Sequence, residues 1–423
     1  MEIVYPICCG VDVHKSFLVA TIITTHPQSL EASYQKKRFS TFNNSLLSFK
    51  KWLLENNCRH VCMESTGKYW IPVFNLLEDA IHVIIANPKW VSVVKGNKDD
   101  VKDSKWIGEL FRLGLVPGSF IPDKKIRMLR ECTRYRCKMV AMKASEKNRY
   151  QNAFTVCNVA LDSVVSSMFG KSATAIVDYM ISDAPFDPLH CVTLLHGRLK
   201  KKSEQIVEAV EGFQMEAEQK QRIRCIQSHM QALDILIAQI DEVINELTAP
   251  FTSHLDLLCS IPGVKRLTAV SILSEIGTDM SKFASSKRLC SWAGLVPGNN
   301  QSAGKKKSVR ITRAGVYLKP TLIQAAHAAV RDKSCDYYGN KYQKIANRRG
   351  KKKAIVAIAR MILTAVFHML QSGQSFQPGD LLNEEQLADL REKKHKNSLK
   401  EAAKLIQKAG IVLPEQFLLS LSG

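Results

Sequence analysis

Four carboxylates in the first quarter of the chain have the types and spacing expected of a metal site. Asp12 lies inside an apolar run that begins at Ile7, and Glu64 ends a second apolar run. Asp100 and Asp103 are three residues apart on a predicted helix, so both face the same way. Such a cluster raises its own pKa values unless cations keep it ionised. Oxygen ligands favour a hard ion, Mg²⁺ or Mn²⁺, and therefore predict metal-assisted phosphoryl chemistry.

One of these assignments has an alternative. Asp99 and Asp103 also share a helical face, at four-residue spacing, so Asp99 competes with Asp100 as a ligand. His14 follows Asp12 closely, and we interpret it as a residue at the end of a strand rather than as a ligand.

The elements that would position these acids alternate between strand and helix along residues 1 to about 120. The first two predicted strands are apolar and joined by a tight turn, whereas the third is weaker. Strands are predicted at 7–13, 17–24, 37–41, 59–64 and 83–86, and helices at 46–54, at 69–77 and from Asp100 to about 115. The order βββαβαβα is that of the ribonuclease-H-like fold, in which the first strand, the fourth strand and a late helix carry acids.

Two long helical patterns occupy the middle of the chain, at 123–161 and at 203–247. The second ends in apolar residues at alternating spacings of three and four, which is typical of a coiled coil. These residues are Ile223, Ile226, Met230, Leu233, Ile237, Ile240, Ile244 and Leu247. The pattern predicts an antiparallel coiled-coil arm that would offer a dimer interface; a compact helical bundle with a similar seam is the alternative.

The positive charge is concentrated beyond this helical region. The chain carries 60 Lys and Arg against 39 Asp and Glu, a formal charge of +21. Between residues 251 and 375 we count 21 Lys and Arg against 5 Asp and Glu, which is 16 of that excess. Such an asymmetry favours a nucleic-acid partner over a protein that is merely basic.

Several motifs in this basic region could contact phosphates. The turn Ile261-Pro262-Gly263-Val264 has helix–hairpin–helix character, although a hairpin between two packed helices leaves the same pattern. The candidate nucleic-acid-binding residues are Lys265, Arg266, Lys305, Lys306, Lys307, Arg310, Arg313, Arg348, Arg349, Lys351, Lys352 and Lys353. A basic run is often only a solvated surface, but several runs around one loop indicate binding.

Composition limits the remaining classes of protein. Most of the twelve cysteines fall within apolar patterns and none forms a CxxC pair, which favours reduced, mostly buried thiols. No signal peptide begins the chain and no apolar run reaches the roughly 18 residues that span a bilayer, so we expect a cytoplasmic protein without membrane contact. Residues 376–423 form a predicted charged helical tail of unassigned role.

Taken together, the motifs resemble those of the DEDD transposases of the IS-one-ten insertion-sequence family, relatives of the Piv-type DNA invertases. The resemblance covers roughly residues 7 to 370. Its motifs are Gly10-Val11-Asp12-Val13-His14-Lys15, Glu64-Ser65-Thr66-Gly67-Lys68-Tyr69-Trp70, Asn87-Pro88, the Lys-Asp-Asp-Val-Lys-Asp run at 98–103, Ile261-Pro262-Gly263-Val264, Trp292 to Lys305 and Arg349-Gly350-Lys351-Lys352-Lys353-Ala354. One departure is Lys319, where the family usually has Arg; the charge survives but a bidentate phosphate grip would not.

The resemblance implies a domain organisation and a mechanism. It implies a RuvC-like catalytic domain at 1–122, a helical coiled-coil arm at 123–250 and a mostly α-helical transposase domain at 251–375. Ser302, in the Gln-Ser-Ala-Gly loop, would be the nucleophile, forming a phosphoserine with DNA, while Asp12, Glu64, Asp100 and Asp103 would bind the metal.

The resemblance also implies partners. These would be donor and target DNA, a structured bridge RNA, and further copies of the chain in a dimer to tetramer whose active sites combine domains of two subunits. The alternatives are a metal-dependent nuclease or junction resolvase in which water attacks, and a nucleic-acid-binding protein without catalysis.

Overall fold

The computed structural model describes residues 3–26, 31–91, 100–298, 300–302, 305–308 and 310–378, with six residues of the tail (398, 399, 402, 403, 406 and 407). Only the backbone is described at 89, 90, 100–102, 300–302 and 305–308. Asp99 and most of the predicted tail lie outside these residues. The chain divides into two compact units, residues 1–250 with 273–277 and residues 251–272 with 278–423. The four-part division inferred from the sequence stays a prediction.

A mixed five-stranded sheet forms the first part of the amino-terminal unit. Its elements are β1 (Ile7–Val13), β2 (Phe17–Thr25), β3 (Ala32–Ser40), α1 (Asn43–Glu55), β4 (His60–Glu64), α2 (Trp70–Leu77), β5 (His82–Ala86), α3 (Pro88–Val91) and α4 (Asp100–Arg112). The strand order is β3-β2-β1-β4-β5. The first three strands are antiparallel, and β4 and β5 run parallel to β1. The predicted order of elements is confirmed apart from the additional short helix α3, and this order and pairing of strands is the one expected of the ribonuclease-H-like fold.

The third strand differs most from its prediction. It runs from Ala32 to Ser40 rather than over 37–41, and six consecutive residues within it are exposed. Since β3 lies at the edge of the sheet, it has a polar sequence, which weakens the apolar signal by which strands are recognised.

Helix α4 packs closely against the centre of β1 because residue 10 has no side chain. A Cβ at Gly10 would lie 2.2 Å from the carbonyl oxygen of Ser104 and 2.3 Å from the backbone nitrogen of Gly108. The hydroxyl groups of Thr21 and Ser104 share a buried 2.8 Å hydrogen bond beside this contact. Ile107 and Phe111 of α4 are buried in the same core as Cys8. The backbone of β1 therefore fixes the position of α4.

Two long antiparallel helices follow the sheet. The elements of this region are α5 (Lys124–Val156), α6 (Leu161–Val164), α7 (Lys171–Met180), α8 (His190–Thr193), α9 (Ser203–Val210) and α10 (Ala217–Thr248). Ion pairs along α5 and α10 run in opposite chain directions: Arg136 with Asp241, Lys143 with Asp234, and Glu146 with His229. The helices α6 to α9 pack against one end of this pair in a common core. The antiparallel pairing agrees with the sequence pattern, whereas a coiled-coil supercoil stays a prediction.

Residues 273–277 belong to the amino-terminal unit because side chains of α5 bind them. Arg134 binds the buried Glu275 carboxylate through two hydrogen bonds of 2.7 and 2.8 Å. Arg130 donates to the carbonyl oxygens of Ser274 and Glu275 at 3.0 and 2.6 Å. Burial lowers the pKa of Arg130 to about 10. Charged groups therefore anchor this segment to α5.

The carboxy-terminal unit is mainly helical. Its elements are α11 (Thr252–Cys259), α12 (Arg266–Ile276, shared with the other unit), α13 (Ser286–Trp292), β6 (Asn300–Ser302), β7 (Lys305–Ser308), α14 (Leu318–Arg331), α15 (Tyr337–Arg349) and α16 (Lys351–Ser372). The turn between α11 and α12 packs on α14, since a Cβ at Gly263 would lie 2.4 Å from the Ala329 nitrogen. This close contact explains why the turn has a glycine at residue 263. Nucleic-acid binding by the turn stays a prediction.

Helix α16 corrects the expectation that no apolar segment is long enough to cross a membrane. Among the described helices it alone has that length and composition, with a mean hydropathy of 1.7. Half of the apolar segment is buried within the protein, against α11, α13, α14 and α15. The core helices of soluble proteins have the same property, so this observation is weak evidence for a membrane span.

The cysteines agree with the sequence interpretation. All twelve are within the described residues and are free thiols; seven are buried and only Cys137 and Cys225 are exposed. Burial raises the pKa of Cys8, Cys58 and Cys62 to about 12. These thiols are packing residues rather than nucleophiles.

We expect Gly10→Ala to destabilise the amino-terminal unit. The new methyl group would meet the α4 backbone, which cannot rotate away, so the free energy of unfolding should fall by about 3 kcal/mol. Urea denaturation followed by circular dichroism measures the change. Gly339→Ala is the control. Gly339 lies inside α15, and a Cβ there would be in ordinary contact, 3.5 Å from the carbonyl oxygen of Val330. A Gly10→Ala protein as stable as this control would contradict the close contact.

We also expect Arg134→Ala to destabilise this unit by about 3 kcal/mol, because it leaves a buried carboxylate without its main partner. Lys143→Ala on the same helix should cost about 0.5 kcal/mol, since its partner Asp234 is 58% exposed. Chemical denaturation of both variants tests this difference. Equal losses of unfolding free energy in the two variants would show that Arg134 is not needed to stabilise the buried Glu275 carboxylate.

Candidate active site

Two of the four predicted acids lie at the carboxyl ends of neighbouring parallel strands. Val11 of β1 pairs with Met63 of β4, so Asp12 and Glu64 occupy the next row of the sheet. Strands in a sheet are about 4.8 Å apart. The order of the strands therefore brings together two acids that are 52 positions apart in the sequence.

Both acids face the side of the sheet that α4 covers. Side chains alternate between the two faces of a strand. Val11, Val13 and Met63 lie in the core under α1 and α2, whereas Cys8 and Cys62 lie in the core under α4. Asp12 and Glu64 belong to the second set by this alternation. Asp12 is 9% exposed and Glu64 is partly buried.

Helix α4 lies on the same side of the sheet and contains the other two predicted acids in its first turn. Asp103 precedes Ser104, whose carbonyl oxygen lies over Gly10, two residues before Asp12. Its side chain is partly buried. Asp100 is the first residue of α4, and only its backbone is described. The contact between Gly10 and α4 therefore fixes the position of the Asp103 backbone relative to the end of β1.

Hydrogen bonds orient the two sheet carboxylates. His14 Nε2 is 3.0 Å from Asp12 Oδ2, and Thr66 Oγ1 donates to Glu64 Oε1 at 3.3 Å. An ionised carboxylate can only accept, so Nε2 of His14 must carry the proton when Asp12 is charged. The sequence predicts His14 only as a residue at the end of a strand, and its two-residue spacing from Asp12 is the one signal of this contact.

The donor set suits a hard divalent cation. Mg²⁺ is commonly held by one or two carboxylates together with waters and substrate phosphates. Asp12 and Glu64 supply two such groups on one face. Among the side chains that the structure describes, no group of three or more His, Cys, Asp or Glu is arranged to hold a metal ion. The side chain of Asp100 is outside that set, and the four-acid metal site stays a prediction.

Ser302 lies in a short β-hairpin of the carboxy-terminal unit. It is the last residue of β6 and pairs with Lys305, the first residue of β7. Gln301 pairs with Lys306, and a register shift separates Asn300 from Gln301. Sequence reasoning expected a loop here. The hairpin places the backbone of the basic run directly beside that of the serine.

The base of this hairpin is held by two tight backbone turns. Gly294 and Gly315 have φ of +70° and +66°, and a Cβ at Gly315 would lie 2.2 Å from the Ala293 carbonyl oxygen. Lys319 Nζ donates to the carbonyl oxygens of Thr312 and Ala314 at 2.7 and 2.8 Å. Lys319 thus stabilises the chain that returns from the hairpin, which is a structural use of the residue that departs from the family pattern.

The candidate nucleic-acid-binding residues are on the surface wherever their side chains are described. The exposed residues are Lys265, Arg266, Arg310, Arg313, Arg348, Arg349, Lys351, Lys352 and Lys353. Arg266 forms a weak 3.7 Å ion pair with Asp256. Only the backbone of Lys305, Lys306 and Lys307 is described. Exposure is compatible with phosphate binding, which stays a prediction for all twelve.

Comparison with known proteins links these two sites to one family. Residues 9–158 match the DEDD family model of IS110 elements, described as a transposase. Residues 255–343 match the model described as the transposase IS116/IS110/IS902 family. The two regions together cover more than half of the chain. The first contains the four acids, and the second contains Ser302 and its basic neighbours.

Individual relatives are more distant. A transposase for insertion sequence element IS1111A of Coxiella burnetii is 28% identical over 184 residues, which is 41% of this chain and 48% of that protein. The pilin gene-inverting protein of Moraxella bovis is 28% identical over 153 residues, 33% of this chain and 45% of that protein. The chain thus spans about half the length of the curated relatives it matches.

A solved structure shares a weak likeness. The fowlpox virus resolvase, in complex with Holliday junction DNA, covers 26% of this chain and 99% of its own, with 16% identity and a TM-score of 0.22. The family itself rests on the two matching regions, and the resemblance seen in the sequence motifs is confirmed. The chain belongs to the IS116/IS110/IS902 family of transposases.

Proposed function

We propose that this transposase cuts and exchanges DNA strands through a covalent phosphoserine at Ser302, with a divalent metal held by Asp12, Glu64, Asp100 and Asp103. The observation that carries the proposal is the placement of Asp12 and Glu64 in one row and on one face of the sheet. The presence of both family regions in a single chain supports the joint use of the acids and the serine.

The acids and their neighbours have defined roles in this proposal. Asp12 and Glu64 bind the metal, His14 orients Asp12, and Thr66 orients Glu64. A bound Mg²⁺ or Mn²⁺ would supply Lewis-acid stabilisation of charge on the phosphate and would lower the pKa of a hydroxyl group near it. Gly10 keeps α4, and with it Asp103, close to the carboxyl end of β1.

Ser302 performs the strand exchange. Its hydroxyl group loses a proton and Oγ attacks the phosphorus atom of the DNA backbone. An Oγ–P bond forms, the P–O bond to the leaving nucleotide breaks, and the leaving oxygen takes up a proton. A hydroxyl group of a second DNA strand then attacks the same phosphorus and releases Ser302. One bond is exchanged for another of the same type at each step, so rejoining requires no ATP.

The basic surfaces of the carboxy-terminal unit hold the nucleic acids. An excess of 16 positive charges over residues 251–375 suits two polyanions, the DNA and a structured guide RNA. Lys305 to Lys307 follow Ser302 after two small residues and would steady the phosphate backbone around it. We propose that the active protein is a dimer to tetramer of this chain.

A hydrolytic nuclease or junction resolvase is the second candidate. A metal held by the carboxylate pair on the sheet could activate a water molecule as the nucleophile equally well. In that case Ser302 would be dispensable. A nucleic-acid-binding protein without catalysis is the third. A covalent intermediate would distinguish the proposed function from both alternatives, and DNA cleavage would distinguish the two alternatives from each other.

We expect Mg²⁺ or Mn²⁺ to raise the thermal unfolding temperature of the full-length protein through the acid site. Binding at 100 times the dissociation constant stabilises a protein by about 2.7 kcal/mol. The shift should disappear in Asp12→Asn and persist in Asp79→Asn, an exposed acid of the same unit. In EDTA, Asp12→Asn should be as stable as wild type or more stable, because it removes repulsion among acids. Equal shifts in both variants would place the metal elsewhere.

We expect Ser302→Ala to abolish a protein–DNA adduct. Full-length protein is incubated with Mg²⁺, donor and target DNA, and RNA transcribed from the DNA that flanks its gene. The products are separated on a denaturing gel before and after protease treatment. Loss of the nucleophile should reduce strand exchange by roughly 1,000-fold or more.

The matched control is Ser308→Ala, at the other end of the same hairpin. It should retain the adduct. Cleavage that persists in Ser302→Ala would favour the hydrolytic nuclease, whereas wild-type protein that binds but never cuts would favour the binding protein.

A further inference from the structure

The edge strand β3 carries basic residues on the same face of the sheet as the acid pair. Asp12 pairs with Val19 of β2, and Val19 pairs with Arg38 of β3. Residues directly opposite one another in antiparallel strands point to the same face. Arg38 therefore lies in the row of Asp12, on the side that α4 covers, two strands away.

Arg38 is held in this position by stacking. Its guanidinium carbon lies 3.8 Å from the centre of the Phe17 ring. Phe17 lies 4.5 Å from the His14 ring, and His14 is hydrogen-bonded to Asp12. Stacking uses the face of the guanidinium and leaves its N–H groups, which point outward in the plane, for other acceptors. A continuous set of contacts thus joins Arg38 to the acid site.

Two lysines extend this positive charge along the sheet. Lys36 pairs with Thr21, whose hydroxyl group contacts Ser104 of α4, so Lys36 shares the face of Arg38. Lys105 of α4 lies over the Tyr34 ring at 3.7 Å. We call Lys36, Arg38 and Lys105 the β3 basic surface.

All three members of the β3 basic surface are exposed. Within the described part of the chain, none of them forms an ion pair. Glu109 accepts a hydrogen bond from Tyr34 but forms its ion pair with Arg112 rather than with Lys105. The three cations lie on the same side of the sheet as carboxylates that act on phosphates in the proposed function. This charge arrangement is complementary to a nucleic-acid backbone that passes the acid pair.

We propose that the β3 basic surface binds the phosphate backbone of the DNA strand that is cut, on the side of the acid pair remote from β5. The inference rests on the proposed function and adds residues outside the basic carboxy-terminal region. Alternate residues of a strand are about 6.6 Å apart, so Lys36 and Arg38 contact different phosphates along the strand. Arg38 contributes a planar donor group, and the lysines contribute point charges.

Lysines on an edge strand also have a simpler explanation, since they prevent association through the exposed edge. Lys37 separates the two explanations. It lies between Lys36 and Arg38 but faces the opposite side of the sheet, near the Phe39 ring at 5.2 Å. Protection of the edge would depend equally on Lys36, Lys37 and Arg38. DNA binding beside the acids would depend on Lys36 and Arg38 but not on Lys37.

The test measures DNA binding by the full-length protein in EDTA, where cutting cannot occur. Fluorescence anisotropy with labelled duplex DNA is recorded over a range of salt concentrations for wild type, Arg38→Gln, Arg38→Lys and Lys37→Gln. Arg38→Gln should weaken binding about tenfold. It should also reduce the slope of log affinity against log salt by about one. Arg38→Lys should keep the slope, and Lys37→Gln should match wild type.

Each other outcome contradicts a different step. If Arg38→Gln and Lys37→Gln have the same DNA affinity and salt dependence while wild type cuts DNA in Mg²⁺, the β3 basic surface does not bind DNA and the proposed function stands. If Arg38→Gln lowers affinity for the guide RNA but not for DNA, the surface binds RNA and the DNA assignment is overturned. Wild-type protein that neither binds nor cuts DNA overturns the proposed function and this inference together. Thermal unfolding of each variant confirms that the fold is retained.

Discussion

The absence of a side chain at residue 10 is the constraint on which the amino-terminal unit depends. Gly10 lets the backbone of α4 approach β1 to a distance that no other residue allows, with a virtual Cβ only 2.2 Å from the Ser104 carbonyl oxygen. The hydrogen bond between Thr21 and Ser104 and the burial of Ile107 and Phe111 then fix the rotation of the helix. As a result, a helix that follows five strands in sequence begins beside the strand that opens the chain.

The positive charge of the chain is used in two different ways. Some cations are structural: Arg134 neutralises the buried Glu275, Arg130 binds carbonyl groups at the end of α12, and Lys319 binds the chain that returns from the β6–β7 hairpin. Others are exposed and stack on aromatic rings, as Arg38 does on Phe17. A net charge therefore overstates how many cations can meet a nucleic acid, and the local contacts of each residue decide its role.

The sequence predicts most of the sheet because its strands are apolar and its acids interrupt or end them. The strands around Asp12 and Glu64 were located to within one or two residues. The edge strand β3 was underestimated, since its residues are polar and exposed. Apolar periodicity along a strand also carries no information about which strands pair, so the row that joins Asp12 to Arg38 emerged only from the register.

Prediction was least complete for contacts made by small or polar groups. The hydrogen bond from His14 to Asp12 depends on a turn whose geometry the sequence does not specify. The hairpin around Ser302 is only seven residues long in its two strands, too short for a periodic pattern to reveal. The sequence shows Lys319 only as a replacement of the usual Arg, whereas its role follows from the two carbonyl groups to which it donates in the folded chain.

The proposed function depends most on Ser302 as the nucleophile that attacks DNA. Peptide mass spectrometry of the protein–DNA product tests it most directly. Full-length protein is reacted with Mg²⁺, DNA and guide RNA, the DNA is trimmed with nuclease, and the peptides are sequenced. We expect a nucleotide phosphate attached to the Ser302 side chain. A nucleotide on any other residue, or cut DNA with no modified peptide, would contradict it.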